Sequence, residues 1–166
     1  MAVTFICGFV LMAGLFLMLP AGVGFIQDKK FFGSAPEEIR AVIPDTKPER
    51  FCGQHAVGWC LMALSVLIMA GAVLFAAVNG IRSGFGFGKF YLRFTAMLLM
   101  LKAFDIGFFD WVLLCNGGLG FFPHFYPETK AVSGRHLFGF NRKTHAAQIL
   151  GGVVLMLPAA WICTLF

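Results

Sequence analysis

Apolar and polar residues follow one another along this chain in long blocks, without a short repeat. Four apolar blocks cover about residues 3–25, 55–79, 91–115 and 145–165, with polar connections between them. A helix needs roughly 20 apolar residues to cross about 30 Å of hydrocarbon, and each block is that long. The pattern predicts an all-α polytopic membrane protein, a four-transmembrane-helix bundle forming a single domain over residues 1–166.

No basic residue precedes the first block, and it exceeds the apolar core of a cleaved leader. It therefore reads as a retained span, kinked near its end by Pro20. Ala72 with Ala76, and Ala147 with Gly151, form small-residue edges suited to close helix packing. In the first connection, Ser34-Ala-Pro-Glu37 has the form of a capping box before an apolar face of Ile39, Val42 and Ile43, and Pro44 ends the helix. That short helix fits either the membrane surface or a solvated loop. The glycines of residues 80–90 do not make a phosphate loop, because Ser83 and Phe90 stand where glycine and a hydroxyl are required. They imply a turn with Phe85 and Phe87 dipping into the interface.

Composition agrees with the block pattern. Apolar residues make up 59% of the chain and charged ones 13%, against about 25% charged in a soluble domain. The net charge of +5 does not point to nucleic acid, because the basic residues are spread through the connections and form no stripe on one face. Four spans put both termini and the 80–90 turn on one side, and the long connections 27–54 and 116–144 on the other. The second side carries Lys29, Lys30, Arg40, Lys47, Arg50, Lys130, Arg135, Arg142 and Lys143; the first carries Arg82, Lys89 and Arg93. The positive-inside rule then makes the long connections cytoplasmic in a multi-pass cell-membrane protein. Cys7, Cys52, Cys60, Cys115 and Cys163 are odd in number and contain no CxxC pair, which argues against disulfide exchange.

Candidate chemistry starts in the third block. Lys102, Asp105 and Asp110 lie in a segment that must cross hydrocarbon, where each ionised group costs roughly 2.5–3.5 kcal/mol. Lys102 and Asp105 are three residues apart and can pair on one helix face. At 100° per residue Asp110 falls about 140° around from Asp105, so the two acids are expected on different faces unless a partner helix joins them.

All four histidines, His55, His124, His136 and His145, fall on the side of the long connections. No HExxH or cysteine pair accompanies them, and no histidine lies mid-span, so no metal site or haem is expected and the sequence names no cofactor. Arg135, Arg142, Lys143 and the amino end of the fourth span form a corner suited to an anionic head, with His136, Tyr126 and Asn116 nearby in the chain. His124 or His145 beside Asp110 would supply an acid or base.

Phe104-Asp-Ile-Gly-Phe-Phe-Asp110-Trp111, Phe121-Phe-Pro-His-Phe-Tyr-Pro-Glu128-Thr and Phe138-Gly-Phe-Asn-Arg-Lys-Thr-His145 resemble a group of small bacterial four-helix integral membrane proteins. The resemblance covers the second half of the chain. It implies the architecture and a bacterial membrane location, and the group has no assigned activity to carry over.

Taken together, the residues point to a small membrane enzyme or binding protein acting on an amphipathic, lipid-like anionic ligand. One alternative is a transporter or channel subunit with an ion or proton path along Lys102, Asp105 and Asp110. Another is an accessory subunit whose small-residue edges pack on a partner membrane protein or a second copy.

Overall fold

The computed structural model describes residues 1–32, 37–115, 121–131 and 141–166, which are helical except for short connections. Helix α1 spans Ala2–Leu19 and continues through Pro20–Ile26 in wider π winding. Proline has no N–H to donate, so the α ladder is interrupted where Pro20 enters and the chain opens by one residue per turn. Gln27, in the left-handed region at φ 54°, ends the segment and donates its N–H to Gly22 O. A short helix α2 (Glu37–Val42) follows, and residues 34–36 of its expected capping box lie outside the described residues. Helix α3 (Gln54–Arg82) turns at Gly84 (φ 62°) into α4 (Phe87–Phe104), which passes into a second π segment, Asp105–Cys115. Helices α5 (Phe121–Phe125) and α6 (Arg142–Cys163) complete the chain.

The long helices pack in the order α3, α1, α4, α6. Small residues bring the backbones together. Ser65 Oγ donates to Gly14 O over 2.6 Å, Gly58 lies against Phe25 and Ile26, and Ala72 and Ala76 are buried. On α6 the close approach is at Gly152, where a Cβ would stand 2.7 Å from Leu98 Cδ2, whereas Ala147 and Gly151 face outward. The expected edge is thus displaced by one position. The reason is that α6 is turned to face α4 through His145 and Gln148, and Gly152 continues that face.

One buried cluster fills the middle of the packed helices and includes Cys7, Leu11, Ala76, Phe94 and Met97. A second lies where both π segments end. There Val23, Phe109 and Leu113 meet Ile43, Phe122 and Tyr126 from the two long connections. Ile43 therefore turns the short helix onto the core. The carbonyls left over at the end of the first helix need donors. Gln54 supplies them, its Nε2 donating to Phe25 O (2.8 Å) and to Gln27 Oε1 (3.2 Å). At the opposite end Arg93 is buried, donating to Ala76 O and Asn79 Oδ1 with its guanidinium over the Phe85 ring. Phe85 is thus half-buried beneath the guanidinium.

Among the described residues three helical stretches, Ala2–Ile26, Gln54–Arg82 and Arg142–Cys163, are long and apolar enough to cross a membrane. Their outer faces are greasy: Phe9, Leu67, Leu74, Leu150 and Leu155 are each over 60% exposed. Belts of this kind belong against lipid. Helix α4 and its continuation differ in carrying Lys89, Arg93, Lys102, Asp105 and Asp110.

A side chain at Gly58 would meet Ile26 N at 3.0 Å, whereas one at Gly151 meets nothing within 4 Å. Gly58→Leu is expected to destabilise the fold by about 1–3 kcal/mol through overpacking, and Gly151→Ala to leave it within ~0.5 kcal/mol. Thermal unfolding in detergent micelles measures both, and equal effects would refute the packing described.

Candidate functional site

Where α4 changes winding, four ionisable side chains meet between α4 and α6. Lys102 Nζ donates to Asp105 Oδ2 and, over 2.8 Å, to Gln148 Oε1. His145 Nε2 is 2.6 Å from Asp110 Oδ2, and its Nδ1 faces Asp105 Oδ2 at 3.8 Å, beyond hydrogen-bond reach. His145 is 5% exposed, in the first turns of α6, with its own N–H bonded to Asn141 O.

The two aspartates are brought together through a partner helix, as their spacing required, because His145 of α6 faces both; local winding narrows the angle between them. A π turn takes roughly 4.4 residues, so a five-residue step closes to about 50° of a full turn, against about 140° with α winding. The π segment begins at Asp105 itself. Winding that is rare elsewhere here aligns both acids on one histidine of the neighbouring helix.

The charges alternate Lys102, Asp105, His145, Asp110. With the imidazole protonated the group sums to zero, the condition under which low-dielectric burial of several charges is tolerable. Removing any one member leaves a neighbour facing an uncompensated charge. The imidazole is held from its Nε2 side by Asp110, and Lys102 neutralises the second acid. A histidine so fixed can accept or release a proton at a defined position.

The other expected site residues are dispersed. His124 is exposed, its ring edge-on to Phe125, and among the described residues no contact joins it to the cluster. Tyr126 is fully buried in the core beneath the connections, with Lys47 Nζ 4.2 Å from its ring centroid. Its burial, with Glu128 and Asp28 nearby, raises the phenol above its ordinary pKa. Lys47 also pairs with Glu128 at 2.9 Å. Arg142 and Lys143 are exposed on the first turn of α6, and Asn116, Arg135 and His136 lie outside the described residues. His55 is engaged elsewhere, 3.6 Å from Glu49.

Gln148 was not anticipated, because attention to charge passes over an amide. Its signal was positional, three residues after His145 on the same face. Among the described residues no group of His, Cys, Asp and Glu is arranged to hold a metal ion. Compared with known proteins, the chain matches no family model, no curated protein and no solved structure.

Lys102→Met strands Asp105 beside a second carboxylate, and a loss of about 1–3 kcal/mol in unfolding free energy is expected. Lys102→Met with Asp105→Leu should recover most of it; a double variant as unstable as the single one would refute the pairing. At the start of α3, the N–H groups of His55 (2.9 Å) and Gly53 (3.2 Å) donate to Glu49 and hold its carboxyl below the usual range. A depressed folded pKa stabilises above the unfolded value and loses that contribution as pH falls through the folded one. Glu49→Gln should therefore flatten the acid side of the melting-temperature profile. An unchanged acid limb would count against the cap.

Proposed function

We propose that the chain is a four-helix membrane bundle, with Phe87–Cys115 as the further span, and that it acts on an amphipathic, lipid-like anionic ligand at the Lys102–Asp105–His145–Asp110 cluster. The observation that carries this reading is the 2.6 Å contact of His145 Nε2 with Asp110, buried beside a second carboxylate. Ionisable groups in a spanning segment are retained where they act or where they lock helices. An oriented histidine backed by an acid is suited to moving a proton to or from a polar head.

Further support comes from the basic end of α6. Arg142 and Lys143 stand in its first turn, where the helix dipole disfavours cations and welcomes an anion. Arg135 and His136, in the preceding connection, add to that basic end by sequence. The ligand is therefore drawn to the side of the long connections, which their excess of Lys and Arg assigns to the cytoplasm. Membrane lipid is the natural source of such a ligand.

A proton path is the second reading, because both ring nitrogens of His145 face carboxylates. It lacks a continuation. Between Lys102 and Arg93 the one hydroxyl on α4 is that of Thr95, two turns from Lys102, and the fully buried side chains there, Phe94 and Met97, carry no proton.

Two measurements test these readings. With the native cysteines replaced, Ser83→Cys and Lys130→Cys, both at exposed positions, should react with a membrane-impermeant thiol reagent from opposite faces; labelling from one face would overturn the four-span topology. In nanodiscs of bacterial lipid extract, Asp110→Asn and His145→Gln should each lower retention of an anionic amphiphile, read by native mass spectrometry, about tenfold or more. Unchanged retention in both variants would sink the ligand reading, and vesicle proton uptake abolished by Asp110→Asn would install the second in its place.

A further inference from the structure

A groove of about 680 Å³ runs between α3 and α6, floored by α1 and α4. Every residue lining it is apolar, and Met18, Met69, Met97 and Met156 contribute one flexible side chain from each helix. Three of its four walls belong to helical stretches apolar enough to cross a membrane, and water is a poor occupant of an apolar space. Something apolar must occupy it.

We propose that this groove seats one acyl chain of a membrane amphiphile, its anionic head directed past the Lys102–Asp105 end toward Arg142 and Lys143 at the start of α6. The inference rests on the ligand reading of the polar cluster and specifies the class of molecule: a long-chain carboxylate or phosphate ester. Three observations carry it.

The first is position. Phe94, Met97, Leu98 and Leu101 line the groove from α4, and Asp105 lies one turn beyond Leu101 on the same face. On α6, His145 lies close to three full turns before the lining residue Met156 and shares its face. The groove thus points along both helices toward the cluster.

The second is size. On α3 the lining runs from Val66 to Ala77, a rise of roughly 16 Å, long enough for an extended acyl segment. The volume sits within the roughly 300–1,000 Å³ of sites that take one small-molecule ligand.

The third is chemistry. The lining offers no polar group to fix a head, and the methionines adapt to a chain of variable shape. Polar partners begin only at Lys102 and Gln148, and Gln148 is exposed. An amphiphile laid along the groove meets apolar contacts first and charge last.

The test uses the full chain in nanodiscs with two photoreactive probes, palmitic acid and a diacyl phosphatidylglycerol, each bearing a diazirine near the chain end. Crosslinks are expected at Met69 and Met156 and not at Leu67 or Leu155, which face outward. Ala159→Trp, and independently Ala70→Trp, fill the groove and should reduce those crosslinks about fivefold or more. Labelling by palmitic acid alone assigns a single-chain ligand, and labelling by the diacyl probe assigns a bilayer lipid; either supports the groove. Uniform labelling of all lipid-facing helices, indifferent to both tryptophans, overturns it. If crosslinks stay confined to the groove while retention ignores Asp110→Asn, the cluster reading fails alone. If labelling is uniform while retention still needs Asp110, the groove inference fails alone.

Discussion

Charge compensation in a low-dielectric interior governs how α4 and α6 meet. His145 approaches Asp110 and faces Asp105, and Lys102 closes the set through Asp105 and Gln148. Each side chain would be unfavourable there without its neighbour, so the helices are held at the rotation that keeps all of them together. That rotation brings Gly152 over Leu98 and leaves Gly151 facing outward. It also sets which residues of α6 flank the apolar groove. Packing, groove and polar cluster are consequences of one register.

The register depends in turn on a local change of winding. With α geometry throughout, Asp105 and Asp110 would diverge and no single histidine would meet both. The π segment removes that divergence. A second π segment follows Pro20 in the first helix, and both wind into the core formed with Ile43, Phe122 and Tyr126. The wider turns leave carbonyls without α partners, and buried amides such as Gln54 take them up. Irregular backbone, buried polar side chains and the connections folded over them therefore form one unit at that end of the molecule.

Much of the plan was legible in residues alone. Blocks of Leu, Val, Ala and Phe announce helices for lipid because no soluble surface tolerates them in such length, and Ala72 with Ala76 marks a close contact because only small side chains permit one. Lys102 and Asp105 pair as their spacing allows. The histidines were a different matter. Among the described ones, His145 is buried against two acids, His55 lies beside Glu49, and His124 is exposed. Nothing in the spacing of these residues distinguishes them, because burial of a side chain at a helix start is decided by which neighbour covers it.

By itself the sequence determined the apolar lengths and the charges those lengths must accommodate, since each follows from the solvation of single residues. The tertiary structure alone decided the alignment of Asp105 with Asp110, the choice of His145 over His55 and His124, the one-residue displacement to Gly152, and the existence of the groove. Those depend on helix winding and on rotation between helices. Both are set by contacts between residues far apart in the chain, which no local pattern encodes.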